Sequence, residues 1–328
     1  MFEKSNQKKR TVILIAILLI FLIAIVWISN LMFDFALNPN SKYTIVDLIP
    51  AELPGDGQPD ETHAELLQKY YGGAATWFEG GPHSSLISED GLVLNARYFP
   101  REDSHLYAIV CHGYCGNSAQ MAGYAMQFYN MGYSVLVPDA RAHGESEGEY
   151  YGMGWLERSD VLGWANQLIE ADPDAQILLF GVSMGGATVM MTAGEDLPAQ
   201  IRCIVEDCGY TSVWDEFSVQ MKSLFGAPDF PLMYTTDLVC RLRAGYGFKE
   251  ASSVEQLKQA KIPMLFIHGE EDTFVPYSML DQVYTACASA KKEKLTVPGA
   301  AHGVAASTDP ELYWNTVESF LSKYMIES

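Results

Sequence analysis

The segment that most constrains this chain spans residues 175–191 and reads AQILLFGVSMGGATVMM. A short apolar run at 177–180 precedes the pentapeptide Gly-Val-Ser-Met-Gly, and a helix-forming run follows from Ala187. Glycines on both sides of Ser183 remove the Cβ atoms that would crowd a serine on a tight, strained turn. The pentapeptide alone is a weak signal. Its place between a predicted strand and a predicted helix indicates a turn that exposes the Ser183 hydroxyl above a sheet edge.

Apolar strand patterns alternate with helical patterns along most of the chain. Strands are predicted at residues 84–88, 92–99, 106–111, 134–137, 177–180, 201–205, 263–267 and 294–297. Helices are predicted at residues 61–71, 118–131 (with Ser118 as its cap), 155–171, 278–289 and 311–325. This alternation predicts an α/β fold in which helices flank a mostly parallel central sheet. Ligands of such sheets bind at the carboxyl ends of the strands, so the reactive residues are expected there.

The interval 211–260 interrupts this alternation, because it holds helical pieces at 214–225 and 233–246 but no clear apolar strand. We interpret it as a small helical cap inserted over the site, since such caps shape a pocket and exclude water. Ordinary peripheral helices are the alternative. Residues 81–328 are therefore predicted to form one α/β domain that carries this cap.

The N-terminal segment predicts a transmembrane helix. Residues 12–28 are apolar without interruption, a length that nearly spans a hydrocarbon core of about 30 Å. Basic residues outnumber acidic ones before this run: Lys4, Lys8, Lys9 and Arg10 against Glu3. Because cytoplasmic flanks collect Lys and Arg, we expect a single-pass anchor in the cell membrane, with the N-terminus inside and the remainder extracytoplasmic. A cleavable signal peptide is the competing interpretation. Residues 1–33 are then a cytoplasmic stub and anchor, and residues 34–80 a linker followed by a helical extension.

The net charge of −20 argues against nucleic acid as a partner. Six cysteines are too few for a disulfide scaffold in a chain of 328 residues, although a single Cys203–Cys208 or Cys111–Cys115 link is possible outside the cell. The sequence contains neither C-x-x-C nor H-E-x-x-H, so it predicts no metal site. No organic cofactor is predicted either.

A serine nucleophile needs a base. Of seven histidines, His302 follows the last predicted strand in the small-residue loop PGAAHG, which lets an imidazole reach inward. His112, His143 and His268 lie in loops near glycines and are expected to hold those loops by hydrogen bonds. The remaining three are expected at the surface: His63, His83 and His105.

The base in turn needs an orienting carboxylate, which should follow a strand and precede His302. Asp272, in the segment HGEEDTFVP, fits this position. Glu271 is the near rival, and Asp207 ends an earlier strand and fits less well. Asp281 lies inside a predicted helix and is expected to be solvated.

The oxyanion of a tetrahedral intermediate needs two N–H donors that are held in place beforehand. The backbone N–H of Met184 is one candidate, because it follows the nucleophile directly. The second is expected from the loop HGYCGN after the strand at 106–111, where Gly113 and Gly116 let the backbone turn closely, and Tyr114 is the predicted donor. A plain glycine-rich turn is the alternative.

The chain resembles α/β-hydrolases of the serine aminopeptidase-like group and the bacterial YqkD-like membrane-anchored hydrolases. The resemblance is carried by the segments SSLISEDGLVLNARYF, HGYCGN, DARAHGES, GVSMGG, IPMLFIHGEEDTFVP and VPGAAHG. It implies an α/β-hydrolase fold, with Ser183 as nucleophile, Asp272 as acid and His302 as base, in the order usual for that fold. It also implies Tyr114 and Met184 as oxyanion donors.

One position departs from the family pattern, because Ala142 stands in DARAHGES where glycine is usual. The cap is the least recognisable region, so the resemblance does not extend to the substrate. Taken together, the sequence predicts a membrane-anchored serine hydrolase that cleaves a carboxylic ester of a small-molecule or lipid-like acyl substrate through an acyl-enzyme. An amidase, thioesterase or peptidase of the same fold, or an inactive binding module, are the alternatives, and the oligomeric state is left open.

Overall fold

The computed structural model describes residues 2–42 and 61–325. Within them, eight strands are formed: β1 His83–Ile87, β2 Val93–Phe99, β3 Leu106–Cys111, β4 Ser134–Pro138, β5 Gln176–Val182, β6 Ile201–Asp207, β7 Met264–Gly269 and β8 Lys292–Val297. They build one sheet in the order β1-β2-β4-β3-β5-β6-β7-β8. The β1–β2 and β2–β4 pairs are antiparallel and all other pairs are parallel, which confirms the predicted mostly parallel sheet.

Helices flank this sheet on both faces. Their bounds are α1 Phe2–Leu37, α2 Glu61–Tyr71, α3 Ala74–Glu79, α4 Ala122–Asn130, α5 Glu157–Ala171, α6 Met184–Thr192, α7 Val213–Phe225, α8 Leu232–Arg243, α9 Ser253–Leu257, α10 Ser278–Ala286, α11 Ala305–Thr308 and α12 Pro310–Tyr324. A short 3-10 helix, Ser118–Met121, precedes α4, and its cap is the Asn117 side chain rather than the expected Ser118. The three shortest α-helices, α3, α9 and α11, lacked a recognisable pattern in the sequence.

Alternate residues of the central strands pack on opposite faces of the sheet, as the two-residue period of a strand requires. Val110 of β3 packs in the cluster that holds Phe128 of α4 and Trp314 of α12. Its neighbour Ile109 packs in the cluster that holds Trp164 of α5. Every residue of β3, β4 and β7 is buried, which explains why these strands read as continuous apolar runs.

The helical insertion predicted over residues 211–260 contains α7, α8 and α9. An isolated antiparallel bridge between Ser212 and Ser252 closes its base, so that α7 and α8 form the cap. Leu257 and Ala260 are fully buried in the cluster that lies under the sheet. Helix α9 packs against α6 and α10, so residues 253–260 contribute to the core of the domain.

Helix α1 continues past the predicted boundary at residue 33. Its last turn is buried in the catalytic domain, with Phe33 and Leu37 fully inaccessible, and these residues pack in one cluster with Met184 and Phe217. The first residues of the predicted linker are therefore helical and part of the fold. Residues 43–60 of that linker lie outside the described residues.

Candidate active site

Ser183 occupies a strained turn between β5 and α6, with φ 58° and ψ −118°. This conformation is unfavourable for a residue with a side chain. A Cβ at Gly181 would lie 2.1 Å from the Gly185 carbonyl oxygen, and one at Gly185 would lie 2.2 Å from the Cys111 carbonyl oxygen. Both glycines of the pentapeptide are thus required by backbone contacts, and the turn lifts the Ser183 hydroxyl out of the sheet edge.

Three side chains from three loops meet at this turn. His302 Nε2 lies 2.8 Å from Ser183 Oγ, and His302 Nδ1 lies 2.7 Å from Asp272 Oδ2. Asp272 follows β7 and His302 follows β8, so parallel strands bring both residues to the same sheet edge as Ser183. With Nδ1–H donating to the carboxylate, Nε2 is left as the acceptor for the serine proton.

The Asp272 carboxylate is buried and held from several sides. Its Oδ1 accepts from the backbone N–H groups of Phe274 and Val275, each at 3.0 Å, and its Oδ2 lies 3.2 Å from His268 Nε2. Burial alone would raise the pKa of Asp272, but the hydrogen bonds and charges of His268 and His302 outweigh burial and hold the pKa below its usual range. The carboxylate therefore stays ionised beside the imidazole.

The rival acids lie elsewhere. Glu271 is exposed, and its backbone N–H donates to Ala300. Asp207 accepts from the Tyr313 hydroxyl at 2.9 Å, and burial raises its pKa to about 6. Its carbonyl oxygen accepts from the Ser183 N–H, so its contribution to the turn is through the backbone. Asp281 forms a surface ion pair with Lys294.

The loop after β3 lies directly against the nucleophile. A Cβ at Gly113 would stand 3.4 Å from Ser183 Cβ and 3.8 Å from its Oγ. His112 Nδ1 donates to the Gly113 carbonyl at 2.8 Å, and its Nε2 accepts from the Ala140 N–H at 3.0 Å. The imidazole thereby ties this loop to the loop after β4, as expected for a loop-fixing residue.

Both predicted oxyanion donors lie beside Ser183. As the first residue of α6, Met184 has a backbone N–H without an intrahelical acceptor. Tyr114 lines the same small cavity as Ser183, and within the described part of the chain no backbone carbonyl accepts from its N–H. Its hydroxyl donates to the Ala36 carbonyl of α1 at 2.5 Å. The end of α1 therefore holds the side chain of Tyr114, the residue predicted as the second donor.

The loop after β4 is fixed by a buried arginine. Arg141 forms a bidentate pair with Asp160 at 2.7 Å and a second pair with Asp90 at 2.8 Å. Ala142 has φ 61°, in the left-handed region that favours glycine, which explains why its position usually carries glycine. His143 donates from Nδ1 to the Arg141 carbonyl.

The three remaining histidines lie away from Ser183. His83 pairs with Glu145 and His105 with Asp172 at the surface, while His63 lies on α2. No disulfide joins any of the six cysteines, all of which lie in the described residues. Cys208 Sγ approaches the carboxylate and imidazole of the site within 4.8 Å.

Sequence reasoning missed Glu216. This residue of α7 lines the cavity beside Ser183 and is buried, with Oε1 accepting from Gln220 Nε2 at 2.8 Å. Burial raises the pKa of Glu216 to about 8, although the Gln220 hydrogen bond opposes this. In the sequence Glu216 has the pattern of an ordinary charged residue on an amphipathic helix, and only the folded position of the cap reveals that it lines the same cavity as Ser183.

Comparisons with known proteins bear on the family and the fold of the chain. The sequence profile of the prolyl oligopeptidase family matches residues 120–327. The chain is 26% identical over 232 residues to the uncharacterized protein YqkD of Bacillus subtilis, with 70% of this chain and 76% of that protein covered. The relative confirms the YqkD-like resemblance.

Solved structures show the same fold. An esterase of Pyrococcus furiosus, Pf2001, superposes with a TM-score of 0.61 at 23% identity, covering 75% of this chain and 92% of that one. An acylaminoacyl peptidase of Pyrococcus horikoshii superposes with a TM-score of 0.57 at 18% identity, covering 76% of this chain and 42% of that one. Because the family profile spans more than half of the sequence, the chain belongs to the prolyl oligopeptidase family and is a serine hydrolase of the α/β-hydrolase superfamily.

Proposed function

We propose that this serine hydrolase cleaves a carboxylic ester, with Ser183 as nucleophile, His302 as general base and Asp272 as the orienting acid. The observation that carries the proposal is the continuous chain of hydrogen bonds from Ser183 Oγ through both ring nitrogens of His302 to Asp272, at 2.8 and 2.7 Å. An inactive binding module would not need a strained serine placed within hydrogen-bonding distance of an oriented imidazole.

The geometry supports a two-step reaction. Ser183 Oγ attacks the ester carbonyl carbon while His302 Nε2 takes its proton, and the carbonyl electron pair moves onto the oxygen. The N–H groups of Tyr114 and Met184 stabilise that oxyanion, and each such donor typically lowers the barrier by about 3–4 kcal/mol. His302 then protonates the leaving alcohol, and a water activated by the same imidazole hydrolyses the acyl-enzyme to release the acid.

The cavity beside Ser183 favours an ester with an apolar acyl group. Its volume is about 20 Å³, and Met153, Phe217, Phe274 and Val275 supply apolar side chains to its wall. A larger groove of about 900 Å³ opens near the amino ends of β6 and β7, away from Ser183, and takes no part in this proposal. The esterase Pf2001 of similar fold supports the choice of ester, while the acylaminoacyl peptidase keeps peptide cleavage as the alternative.

A matched pair of substrates tests the reaction type. p-Nitrophenyl acetate and p-nitroacetanilide share their acyl group and aromatic ring and differ only in the ester or amide link. We expect the ester to be hydrolysed at least 100-fold faster in kcat/KM, and Ser183→Ala to abolish this turnover. Faster cleavage of the anilide would favour an amidase or peptidase, and no turnover of either by folded protein would favour a binding module.

We also propose that α1 remains as the membrane anchor of the mature protein. Residues 9–37 form a helix long and apolar enough to cross a membrane, and residues 9–24 are exposed along its length. If the helix were cleaved as a signal peptide, the cleavage would have to leave the buried Phe33 and Leu37 on the mature protein. Protease added to intact cells should digest the catalytic domain, whereas protection until lysis would contradict an extracytoplasmic placement.

A further inference from the structure

The cavity beside Ser183 has room for little more than one small group. Its volume is about 20 Å³, and a volume of about 10–15 Å³ is enough to hold one water molecule. A methyl group is of similar size to a water molecule. When the carbonyl carbon of an acyl group is bonded to Ser183 Oγ, the next carbon of that group therefore fills the cavity.

Most polar groups in the lining of this cavity are already bound or uncharged. The Tyr114 hydroxyl donates to the Ala36 carbonyl, and the Tyr210 hydroxyl donates to the Met153 carbonyl at 2.9 Å. Both tyrosines thus present their rings to the cavity rather than a free hydroxyl. Burial raises the pKa of Glu216 to about 8, so its carboxyl is mostly neutral at pH 7. These surroundings favour hydrocarbon over a charged group.

Phe217 and Gln220 close the cavity toward the cap, and both are held in place. Gln220 Nε2 donates to Glu216 Oε1 at 2.8 Å and to the Phe274 carbonyl at 2.9 Å. The Phe217 ring packs edge to face against Phe248, with ring centroids 5.0 Å apart. Both wall residues are buried. Because each has fixed partners, the wall does not yield easily to a longer acyl chain.

A second apolar cavity lies behind this wall. It has a volume of about 40 Å³ and lies between the end of α1 and the cap helices, where Met221 and Met233 contribute to its lining. Phe217 and Gln220 line both cavities. Space for additional methylene groups therefore exists in the cap, but these two side chains separate it from Ser183. Removal of either side chain would join the two spaces.

We propose that Phe217 and Gln220 limit the acyl group of the substrate to two carbons, so that the natural substrates are acetyl esters. This inference rests on the proposed ester hydrolysis at Ser183. The Ser183 oxygen bonds to the acetyl carbon as the bond to the alcohol oxygen breaks, and His302 passes the serine proton to that oxygen. Hydrolysis of the acetyl-enzyme then consumes one water and releases acetic acid.

Opening the wall tests the proposal by a gain of activity. p-Nitrophenyl acetate and p-nitrophenyl hexanoate share their leaving group and differ only in acyl length. For the full-length wild type in detergent micelles, we expect kcat/KM to be at least tenfold higher for the acetate. Phe217→Ala and Gln220→Ala should each raise the ratio of hexanoate to acetate at least tenfold, because each methylene that becomes buried raises kcat/KM by up to about fourfold.

Phe225→Ala is the matched control. Phe225 lies on the same helix, α7, and lines the outer cavity but not the cavity beside Ser183. The same change there should leave the ratio at its wild-type value. Both esters are measured on the same preparation, so loss of folded protein does not alter the ratio, and failure of one wall variant to fold leaves the other. Equal kcat/KM for the two esters in the wild type, or an unchanged ratio in the folded wall variants, would overturn the proposal.

Two further measurements separate this proposal from its neighbours. If the wild type hydrolyses no ester, the proposed function fails, and the wall is then judged by labelling of Ser183 with methyl and hexyl phosphonates. Faster methyl labelling that Phe217→Ala reverses would support the wall, and equal labelling rates would overturn it. Ethyl acetate and hexyl acetate differ only in the alcohol. An effect of Phe217→Ala on this pair alone would place the alcohol in the cavity and overturn the limit on the acyl group.

Discussion

At Ser183 the backbone adopts a conformation that is unfavourable for a residue with a side chain, and the turn requires glycine on both sides of the serine. Gly181 and Gly185 leave room for carbonyl groups that would lie within 2.2 Å of an added Cβ. This constraint is local, because it depends on residues within a few positions of the serine. For that reason the strand–turn–helix could be predicted from the sequence, together with the position of the Met184 N–H.

The sequence favoured Asp272 over Glu271 by position and by family resemblance, but it did not show what separates the two side chains. Both follow β7, and neighbouring residues of a loop point in different directions. The structure turns Asp272 inward, where the N–H groups of Phe274 and Val275 hold its carboxylate, and leaves Glu271 exposed. Glu216 could not be identified for a related reason, since its approach to the site depends on how the cap folds back over the sheet.

Asp272→Asn tests the acid at the residue scale. The asparagine amide presents N–H to His302 Nδ1 and so favours the wrong imidazole tautomer. We expect kcat to fall by about 10³–10⁴-fold with the fold retained, measured by ester turnover beside circular dichroism. Glu271→Gln is the control and should keep near wild-type turnover. Loss of activity in Glu271→Gln, with Asp272→Asn active, would transfer the role to Glu271.

Glu206 lies buried beneath the turn at Ser183, and its raised pKa makes the stability of the fold depend on pH. Its Oε2 accepts from the Gly209 N–H at 2.9 Å, and burial raises its pKa to about 8, against the opposing charge of His268. The folded protein thus binds a proton that the unfolded chain releases near pH 4.5. The contribution of protonated Glu206 to the free energy of unfolding is fully present below pH 4.5. It is lost as the pH rises from there through about 8.

We therefore expect Glu206→Gln, whose amide stays neutral and can still accept from Gly209, to lose less stability than the wild type between pH 5 and pH 9. Thermal melts of both proteins across this range provide the measurement. Glu271→Gln, an exposed change with the same chemistry, should keep the wild-type slope. Parallel pH profiles for Glu206→Gln and the wild type would contradict the protonated state of Glu206.

At the scale of elements, the apolar run of α1 could be predicted from the sequence, whereas the burial of its C-terminal turn could not. The apolar run at 12–28 was visible in the sequence because every helix face is apolar there. The burial of the last turn depends on distant partners instead. Arg243 of α8 pairs with Asp34 at 2.8 Å, and Ser29 Oγ donates to Thr235 Oγ1 at 2.6 Å. Contacts between segments so far apart in the chain leave no local pattern.

Two truncations separate these parts of α1. Deletion of residues 1–28 removes most of the exposed apolar run and keeps the buried end of the helix. Deletion of residues 1–37 also removes Phe33 and Leu37, whose burial contributes about 1.5–3 kcal/mol each. We expect the longer deletion to lower the free energy of unfolding by about 3–6 kcal/mol relative to the shorter one, measured by chemical denaturation. Equal stabilities would show that the end of α1 does not belong to the domain.

At the scale of the whole molecule, parallel strands bring distant residues to one edge. Ser183, Asp272 and His302 follow β5, β7 and β8, and the alternation of strands and helices was sufficient to predict that they would meet. Helix α9, inside the predicted cap interval, could not be recognised in the sequence, because it has only five residues and shows no helical period.

The central claim is that His302 activates Ser183, and covalent labelling tests it most directly. An unactivated serine is a poor nucleophile near neutral pH, so a phosphonylating probe labels an inert fold hardly at all. We expect rapid labelling of the full-length protein with the adduct mapped to Ser183 by mass spectrometry, no adduct in Ser183→Ala, and strongly slowed labelling in His302→Ala. Folded wild-type protein that takes no label, or that labels equally fast in His302→Ala, would contradict the account.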